Sequence, residues 1–336
     1  MDTVTLVGID LGKHRFHLHG QDKRGKAVFR KKLSRKQLVE FFSTFHPCTE
    51  AMETCAGAHH TARLLASFGH NVKLISPQFV RPFVKSNKND FVDAEAICEA
   101  ACRPAMHFVT PKTESQQTLS TLHRVRESLV RDRTKAVNQI HGFLLEFGVS
   151  LPIGSATIRR LPAVLAEHPL PPKLVAIIER LRLHVKYLEE QIGQLERDIA
   201  RQVSDDEVGQ RLMTIPGIGV ITASVLSSEM GDGKQYRCGR DFAAAIGLVP
   251  RQHGTGGRNN LLGISRRGDK NIRQLLVTYA RAYMIRLDKQ TGRLADWVRS
   301  MMTRRHSNVV ACALANKLAR TAWAITTNHT VFESHS

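Results

Sequence analysis

Residues 3–32 read TVTLVGIDLGKHRFHLHGQDKRGKAVFRKK, and this stretch decides the fold of the first part of the chain. Apolar or alternating runs cover residues 3–10, 15–21 and 26–32, and glycine-containing turns separate them. Runs of this kind between turn residues are typical of β-strands joined as hairpins. The sequence therefore predicts three antiparallel strands, of which the first ends at Asp10.

Helix and strand patterns alternate in the segments that follow. In chain order they are a helix in RKQLVEFFSTF (35–45), a strand in CTEAMET (48–54), a helix in HTARLLASFG (60–69) and a strand in HNVKLIS (70–76). A basic linker, RPFVKSNK (81–88), then leads into another predicted helix. The order βββαβαβα is that of an RNase H-like α/β domain, which we place at residues 1–103.

Four carboxylates stand where an RNase H-like nuclease carries its acids. Asp10 ends the first strand, Glu53 ends the fourth, and Asp90 and Asp93 lie three residues apart at the start of the late helix. Carboxylate oxygens suit Mg²⁺, and two such ions stabilise the attacking and leaving oxygens of phosphodiester transfer. The acids therefore predict a site for two magnesium ions, although Asp90 alone could be an ordinary helix cap.

The charge of the chain favours a polyanionic partner. Lys and Arg number 49 against 30 Asp and Glu in 336 residues, which gives a formal net charge of +19. Such a field attracts nucleic acid. Charge alone would also fit a generally basic enzyme, so the motifs must decide between the two classes.

Membrane and disulfide-bonded classes are disfavoured by the sequence. There is no uncharged apolar stretch of about 18 residues and no signal-peptide pattern. The six cysteines include no Cys-x-x-Cys pair, so we expect buried reduced thiols and not zinc ligands or disulfides. Most of the sixteen histidines are expected at the surface or facing nucleic acid.

The middle region, residues 104–205, is predicted to be helical. A Lys- and Arg-rich helix is expected over 113–147, and a proline-rich linker over 148–173. Apolar residues then recur at alternating spacings of four and three, as at the a and d positions of a heptad. They are Leu174, Ile178, Leu181, Val185, Leu188, Ile192, Leu195 and Ile199. The pattern predicts a coiled coil, in a homodimer or tetramer or with another helix of the same chain, and a homodimer is the working assumption. A long helix packed within its own subunit is the alternative.

The last region, residues 206–330, is predicted to be mainly α-helical. Its segment LMTIPGIGVITASVL (212–226) has the form of a helix-hairpin-helix, with Pro216, Gly217 and Gly219 in a tight bend that opens a helix. Backbone N–H groups at such a helix start can bind a phosphate without reading a base. An ordinary structural turn is the alternative.

These motifs resemble a known family of transposases. Asp10, Glu53, Asp90 and Asp93 match the DEDD pattern of the IS-one-ten insertion-sequence transposases, whose N-terminal domain is RuvC-like. The second half resembles them in IPGIG, in FAAAIGLVPRQHGTGGRNNLLGISRRGDKNIRQLL and in RRHSNVVACALANKLARTAWAI, the last two most like the IS-eleven-eleven branch. The resemblance covers residues 4–103 and 208–327. It implies a recombinase that excises and integrates its own element, guided by a structured non-coding bridge RNA.

The resemblance also implies a serine nucleophile in the C-terminal region, which forms a composite active centre between subunits with the DEDD site. This chain has Thr255 at the matching place, and a Thr hydroxyl can attack phosphorus. Capping of the glycine-rich loop is the commoner role of such a Thr. Ser265 ranks second as nucleophile. The surrounding basic residues bind phosphate, either in catalysis or as backbone contacts only. They are Arg251, Arg258, Arg266, Arg267 and Lys270.

The leading hypothesis is a DNA transposase that is guided by RNA and uses Thr255. It needs no nucleotide cofactor, and the sequence has no Gly-x-x-x-x-Gly-Lys-[Ser/Thr] loop. A RuvC-like junction nuclease that activates water is the alternative. A nucleic-acid-binding protein with a decayed site is a third reading, against which the presence of all four acids counts. We expect a cytoplasmic bacterial protein that associates with the nucleoid when it acts.

Overall fold

The computed structural model describes residues 3–84, 89–152 and 154–333. The chain divides into two compact units: Met1–Ser115 with Gly231–Arg237, and Gln116–Met230 with Cys238–Ser336. The sequence prediction has three regions, with boundaries after residues 103 and 205. In the structure the helical middle and the C-terminal region belong to the same unit.

The first unit is a six-stranded mixed sheet with helices on both faces. Its elements are β1 (Leu6–Leu11), β2 (Arg15–Gln21), β3 (Ala27–Ser34), α1 (Arg35–Thr44), β4 (Thr49–Glu53), α2 (Ala58–Ser67), β5 (Asn71–Ile75), α3 (Pro77–Val80), a 3₁₀ turn (Arg81–Phe83), α4 (Asp90–Ala101) and β6 (Phe108–Val109). The sheet order is β3-β2-β1-β4-β5-β6, with β1, β4 and β5 parallel. The predicted order βββαβαβα is confirmed, and α3 and β6 add to it. Residues 85–88 of the predicted basic linker lie outside the described residues.

The two faces of β1 pack against different helices. Val7 and Ile9 are fully buried in the cluster that includes Phe42 and Leu65 from α1 and α2. Leu6 points to the other face, in the cluster that contains Ile97 of α4. Because side chains alternate along a strand, Gly8 and Asp10 share the α4 face with Leu6. The alternation therefore directs Asp10 to the same side of the sheet as α4.

The second unit is almost entirely helical. Its elements are α5 (Glu114–Leu145, whose first two residues belong to the first unit), α6 (Ser155–Glu167), α7 (Pro172–Ser204), α8 (Glu207–Met213), α9 (Val220–Met230), α10 (Gly239–Ala245), β7 (Pro250–Thr255), β8 (Arg258–Ile264), α11 (Lys270–Ile285), a 3₁₀ turn (Leu287–Lys289), α12 (Arg293–Met302) and α13 (Ser307–Asn328). The hairpin β7–β8 was not predicted. Across the described ranges, no helix is both long and apolar enough to cross a membrane.

The prediction that residues 148–173 are a linker without helix is wrong over Ser155–Glu167, which form α6. Pro162 lies inside this helix, where it removes the backbone hydrogen bond to the carbonyl of Ile158. Burial offsets that loss, because Ile158, Leu161 and Leu165 pack in a cluster with residues of α5 and α7. Tertiary packing thus overrides the helix-breaking tendency of proline.

The heptad seam of α7 is buried within the chain. Ile178 and Val185 pack in a cluster with Ala136, Ile140 and other residues of α5 and α6. Towards the other end of α7, Ile199 packs against Leu119. The seam thus packs inside the chain, as in the intramolecular alternatives and not as in the homodimer of the working assumption. A homodimer or tetramer stays a prediction that this seam no longer supports.

Candidate active site

Asp10 and Glu53 lie at the carboxyl ends of neighbouring parallel strands. Ile9 pairs with Met52 in the register of β1 and β4, so the next residues of the two strands are Asp10 and Glu53. Ile9 and Met52 are fully buried, whereas Asp10 and Glu53 are half-buried. The two acids therefore stand where the sheet core opens to solvent.

Helix α4 brings Asp90 and Asp93 to the same end of the sheet. A Cβ added at Gly8 would lie 2.2 Å from the carbonyl oxygen of Ala94, so only glycine allows α4 to pack this closely on β1. A carboxylate oxygen of Asp90 lies within 4.8 Å of one of Asp10. The helix start is fixed by Asn89, whose side chain accepts a hydrogen bond from the Phe91 N–H at 3.0 Å.

The pKa of Glu53 reflects the negative charge of the neighbouring acid. Burial and the nearby carboxylate of Asp93 raise the pKa of Glu53, and Arg81 partly opposes the shift. The pKa of the Cys55 thiol is raised in the same way, by burial and by the charges of Glu53 and Asp10. The structure thus brings the four predicted acids together, and their roles in catalysis stay a prediction.

His17 of β2 is a member of this site that sequence reasoning missed. It is the cross-strand partner of Asp10, and its Nδ1 lies 3.4 Å from Asp90 Oδ2 and 4.0 Å from Asp10 Oδ2. The side chain is buried, its ring meets Phe91 edge-on at 4.8 Å, and Nδ1 forms no hydrogen bond within the described residues. The signal was a polar residue in a strand, RFHLHGQ, whose neighbours are apolar.

Most histidines among the described residues are exposed, as predicted, whereas His17, His19, His70 and His123 are buried. For His17 the reason is its place on β2, beside the Asp10 strand and under α4. A buried ring nitrogen without a hydrogen bond next to converging carboxylates fits a divalent cation. The donor set is mainly hard oxygen, as Mg²⁺ prefers, and the residues present fit the predicted metal.

The glycine turn between α8 and α9 has a packing role in the second unit. Gly217 has φ of +82°, and a Cβ there would collide with the ring of Tyr279. The Tyr279 hydroxyl donates a hydrogen bond to the carbonyl oxygen of Pro216. Gly217 and Gly219 are exposed, so the backbone at the start of α9 can be approached by a ligand. Phosphate binding at this turn stays a prediction.

Thr255 lies at the tip of the hairpin β7–β8. It pairs with Arg258 across a two-residue turn, in which Gly256 and Gly257 have φ of +57° and +79°. Positive φ at both central positions is the type I′ geometry that favours glycine in tight hairpins. Thr255, Arg251 and Arg258 are all exposed, so the hydroxyl and the two guanidinium groups are open to a ligand.

The segment after the hairpin holds the remaining predicted residues against α10. Gly268 approaches the Ala245 carbonyl so closely that a Cβ would overlap it, and the Arg266 N–H donates to the Gly247 carbonyl at 3.1 Å. Arg266 adopts φ of +57°, which is uncommon outside glycine. Ser265 is half-buried, whereas Arg266, Arg267 and Lys270 are exposed. Backbone constraints thus present the three cations to solvent.

Comparisons with known proteins cover both halves of the chain. A DEDD transposase model of the IS110 type matches residues 7–148, and a model described as "Transposase IS116/IS110/IS902 family" matches residues 209–295. The chain is 63% identical over 332 residues to "Transposase for insertion sequence element IS1328" of Yersinia enterocolitica, covering 99% of both chains. It is 45% identical to "Probable family 20 transposase" of Pseudomonas aeruginosa, over 98% of both chains. It is 37% identical to "Transposase for insertion sequence element IS1111A" of Coxiella burnetii, over 99% of this chain and 92% of the relative.

Proposed function

This chain belongs to the IS110 family of insertion-sequence transposases, and we propose that it cuts and rejoins DNA through a metal site formed by Asp10, Glu53, Asp90 and Asp93. The observation that carries the proposal is the convergence of carboxylates from β1, β4 and α4 at one end of the sheet. Helix capping does not account for this set, because Asn89 caps α4. The contacts of His17 with Asp10 and Asp90 leave like charges close together, since oxygens of these two acids lie within 4.8 Å and Asp93 raises the pKa of Glu53. Like charges this close destabilise the fold unless cations neutralise them.

The four acids and His17 have distinct parts in this proposal. Asp10 and Glu53, on rigid strand ends, would hold two Mg²⁺ ions together with Asp90 and Asp93 of α4. When bound, such ions stabilise the negative charge on the attacking and leaving oxygens of a phosphodiester. The Nδ1 atom of the buried His17, which lies 3.4 Å from Asp90 Oδ2 and 4.0 Å from Asp10 Oδ2, would add a nitrogen donor beside these two acids.

We propose that Thr255 is the nucleophile. Its Oγ1 attacks the scissile phosphorus, an Oγ1–P bond forms and the P–O bond to one DNA strand breaks. The hydroxyl proton ends on the released DNA oxygen. Rejoining is the reverse reaction with a different strand end, so one phosphodiester replaces another and no nucleotide cofactor is needed. Exposure of Thr255 beside Arg258 supports this role, since a guanidinium group can neutralise the phosphate.

The proposal extends to nucleic-acid partners. Arg251, Arg258, Arg266, Arg267 and Lys270 are exposed and would contact phosphates of DNA or of a bridge RNA. The glycine turn at Pro216, Gly217 and Gly219 would add backbone N–H contacts of the helix-hairpin-helix kind. Guidance by RNA is tested by purifying the transposase from cells that carry the whole element and sequencing the bound RNA. A structured RNA from the element's non-coding flank, complementary to the element ends and the target, is expected.

A suicide substrate tests the nucleophile. The substrate is a DNA element end with a nick beside the scissile phosphate, so that the released fragment diffuses away and any protein–DNA bond is trapped. The wild-type transposase, Thr255→Ser and Ser265→Ala are expected to form a covalent adduct, and Thr255→Ala none. An adduct that disappears in Ser265→Ala instead would assign the attack to Ser265.

The alternative function is a RuvC-like junction nuclease in which activated water attacks. Thr255 favours this alternative, because the family motif has Ser at this place. Metal-dependent cutting that survives Thr255→Ala, with no adduct in any variant, would establish hydrolysis. The metal site itself is tested apart from this question, because Asp10→Asn is expected to remove both reactions.

A further inference from the structure

A buried cluster of metal-ligating side chains lies at the opposite end of the same sheet. Cys48 immediately precedes β4, Glu50 is the second residue of β4, and His70 immediately precedes β5. Because Thr49 pairs with Asn71 in the parallel register, Cys48 and His70 are adjacent where the two strands begin. The candidate active site lies where β1 and β4 end, so the two clusters are separate.

The three side chains converge on one point. Cys48 Sγ lies 3.0 Å from Glu50 Oε1, and His70 Nδ1 lies 2.7 Å from the same oxygen. One donor atom from each residue lies within 4.8 Å of the other two. The side chains of Glu50 and His70 are completely buried, and Cys48 is half-buried.

The orientation of His70 leaves a lone pair for the cluster. Its Nε2 lies 2.9 Å from the carbonyl oxygen of Phe42, which can only accept a hydrogen bond. In the neutral ring Nε2 therefore carries the proton, and the Nδ1 lone pair faces Glu50 and Cys48. The Cys48 backbone N–H is a long donor to this nitrogen, at 3.4 Å. A backbone carbonyl that fixes the far nitrogen of a histidine is a common outer contact in metal sites.

Glu50 is not satisfied by the hydrogen bonds in the cluster. Its Oε1 meets both neighbours, whereas the buried Oε2 has no hydrogen-bond partner among the described residues. Burial raises the pKa of the Glu50 carboxyl to about 7, and it also raises the pKa of the Cys48 thiol. A proton can neutralise Oε1, but it leaves Oε2 as an orphaned polar atom in the core, which is costly.

We propose that Cys48, Glu50 and His70 bind a divalent cation of borderline softness, of which Zn²⁺ is the clearest case. Thiolate sulfur, imidazole nitrogen and carboxylate oxygen are the ligands that Zn²⁺ takes in proteins, whereas a thiolate does not suit Mg²⁺. The Glu50 Oε2 atom is available as a further ligand. This assignment replaces the expectation from cysteine spacing that the thiols take no part in zinc binding.

Binding at this cluster has a defined proton balance. The Cys48 thiol and, where it is protonated, the Glu50 carboxyl each release a proton to solvent. His70 binds through its Nδ1 lone pair, which exchanges the long contact from the Cys48 N–H for the cation. The cation then joins the start of β4 to the start of β5, and through His70 to the Phe42 carbonyl at α1. The cation would have a structural role, because its ligands lie at the starts of two strands of the sheet and none belongs to the candidate active site.

Metal analysis of the full-length chain tests the proposal. The transposase is incubated with zinc and an excess of magnesium, which keeps the carboxylate site occupied, and is then freed of unbound metal by gel filtration. One equivalent of zinc per chain is expected in the wild type and in the matched control Cys55→Ser, whose thiol is exposed. Zinc content is expected to fall to background in Cys48→Ser and in His70→Gln, with folding checked by circular dichroism.

Cobalt provides a readout in the wild-type chain itself, which does not depend on whether a variant folds. Co²⁺ bound to the wild-type chain should give the near-ultraviolet thiolate-to-cobalt charge-transfer band, which persists in Cys55→Ser and is lost in Cys48→Ser. Absence of this band in the wild type overturns the proposal, as does equal zinc retention in wild type and Cys48→Ser. The three side chains would then form a protonated, hydrogen-bonded triad only. Neither result bears on the DEDD site, because that site is assayed by DNA cleavage.

Discussion

The two regions that carry candidate catalytic residues are built in opposite ways. Asp10 and Glu53 follow strand residues that are completely buried, and α4 is locked on β1 at Gly8. In the hairpin of the second unit every residue of β7 is exposed, and β8 is exposed up to Gly263. An isolated two-stranded hairpin is marginally stable in water. Folding therefore sets the acid site in advance, and we expect bound nucleic acid or a partner to order the Thr255 hairpin.

The largest effect is expected at the acid site. Asp10→Asn should lower DNA cleavage on the order of 10³-fold, because several kcal/mol of charge stabilisation are lost with a metal ligand. DNA binding, measured by mobility shift, should change little, since affinity comes from the basic surface. Loss of binding together with cleavage would instead mean that Asp10 has a structural role.

A pH effect is expected from the helical framework of the second unit. His123 is buried, and its Nε2 lies 2.7 Å from Ser224 Oγ. Burial, and to a lesser extent Arg126, lowers the pKa of His123 to about 4. The neutral form is thus favoured in the fold, so its stabilisation is complete above the unfolded pKa of about 6.5 and is lost as pH falls towards 4. Wild type should lose about 3 kcal/mol more over this range than His123→Asn.

Denaturant unfolding at several pH values measures that difference, and His329→Asn is the control because its ring is exposed. Equal pH dependence in wild type and His123→Asn would show that His123 titrates normally in the fold. The exposed hairpin carries no such buried group, so its variants should follow the wild-type pH curve.

Gly8→Ala tests whether core packing sets the acid site. The added Cβ has to displace α4, which should cost about 1–3 kcal/mol of unfolding free energy and move Asp90 and Asp93 away from Asp10. Cleavage should fall along with stability. Gly142→Ala is the matched control, because that helical glycine has open space around it and should be neutral or slightly stabilising. An active, stable Gly8→Ala would show that the close packing of α4 on β1 does not set the geometry of the acid site.

The smallest effect on stability is expected in the hairpin. Leu261 is 65% exposed and Leu262 is 45% exposed, so replacing either by Ser should change the unfolding free energy by no more than about 0.5 kcal/mol. DNA affinity should fall if the hairpin contacts nucleic acid, and thermal melts with parallel binding curves separate the two effects. A large loss of stability would show that the hairpin is part of the folded core.

Sequence patterns predicted the strand-end positions of Asp10 and Glu53 because the rules for such positions are local. A polar residue at the end of a buried strand, as at Asp10 and Glu53, marks the edge of a sheet, and the order of elements brings these ends together. The place of His17 in the site was not predicted, because its burial depends on α4, which lies about 70 residues later in the sequence. The helix around Pro162 was not predicted for a similar reason, because packing against α5 and α7 stabilises it.

From the amino-acid sequence came the succession of strands and helices along the first unit, the positions of its four acids on those elements, the heptad of α7 and the family of the chain. The tertiary structure alone decided that this heptad packs inside the chain, that His17 joins the acids, and that Cys48, Glu50 and His70 meet in the core. The physical reason is that periodicity and turn chemistry are properties of neighbouring residues. Burial and the convergence of side chains from distant strands arise only when the elements pack together.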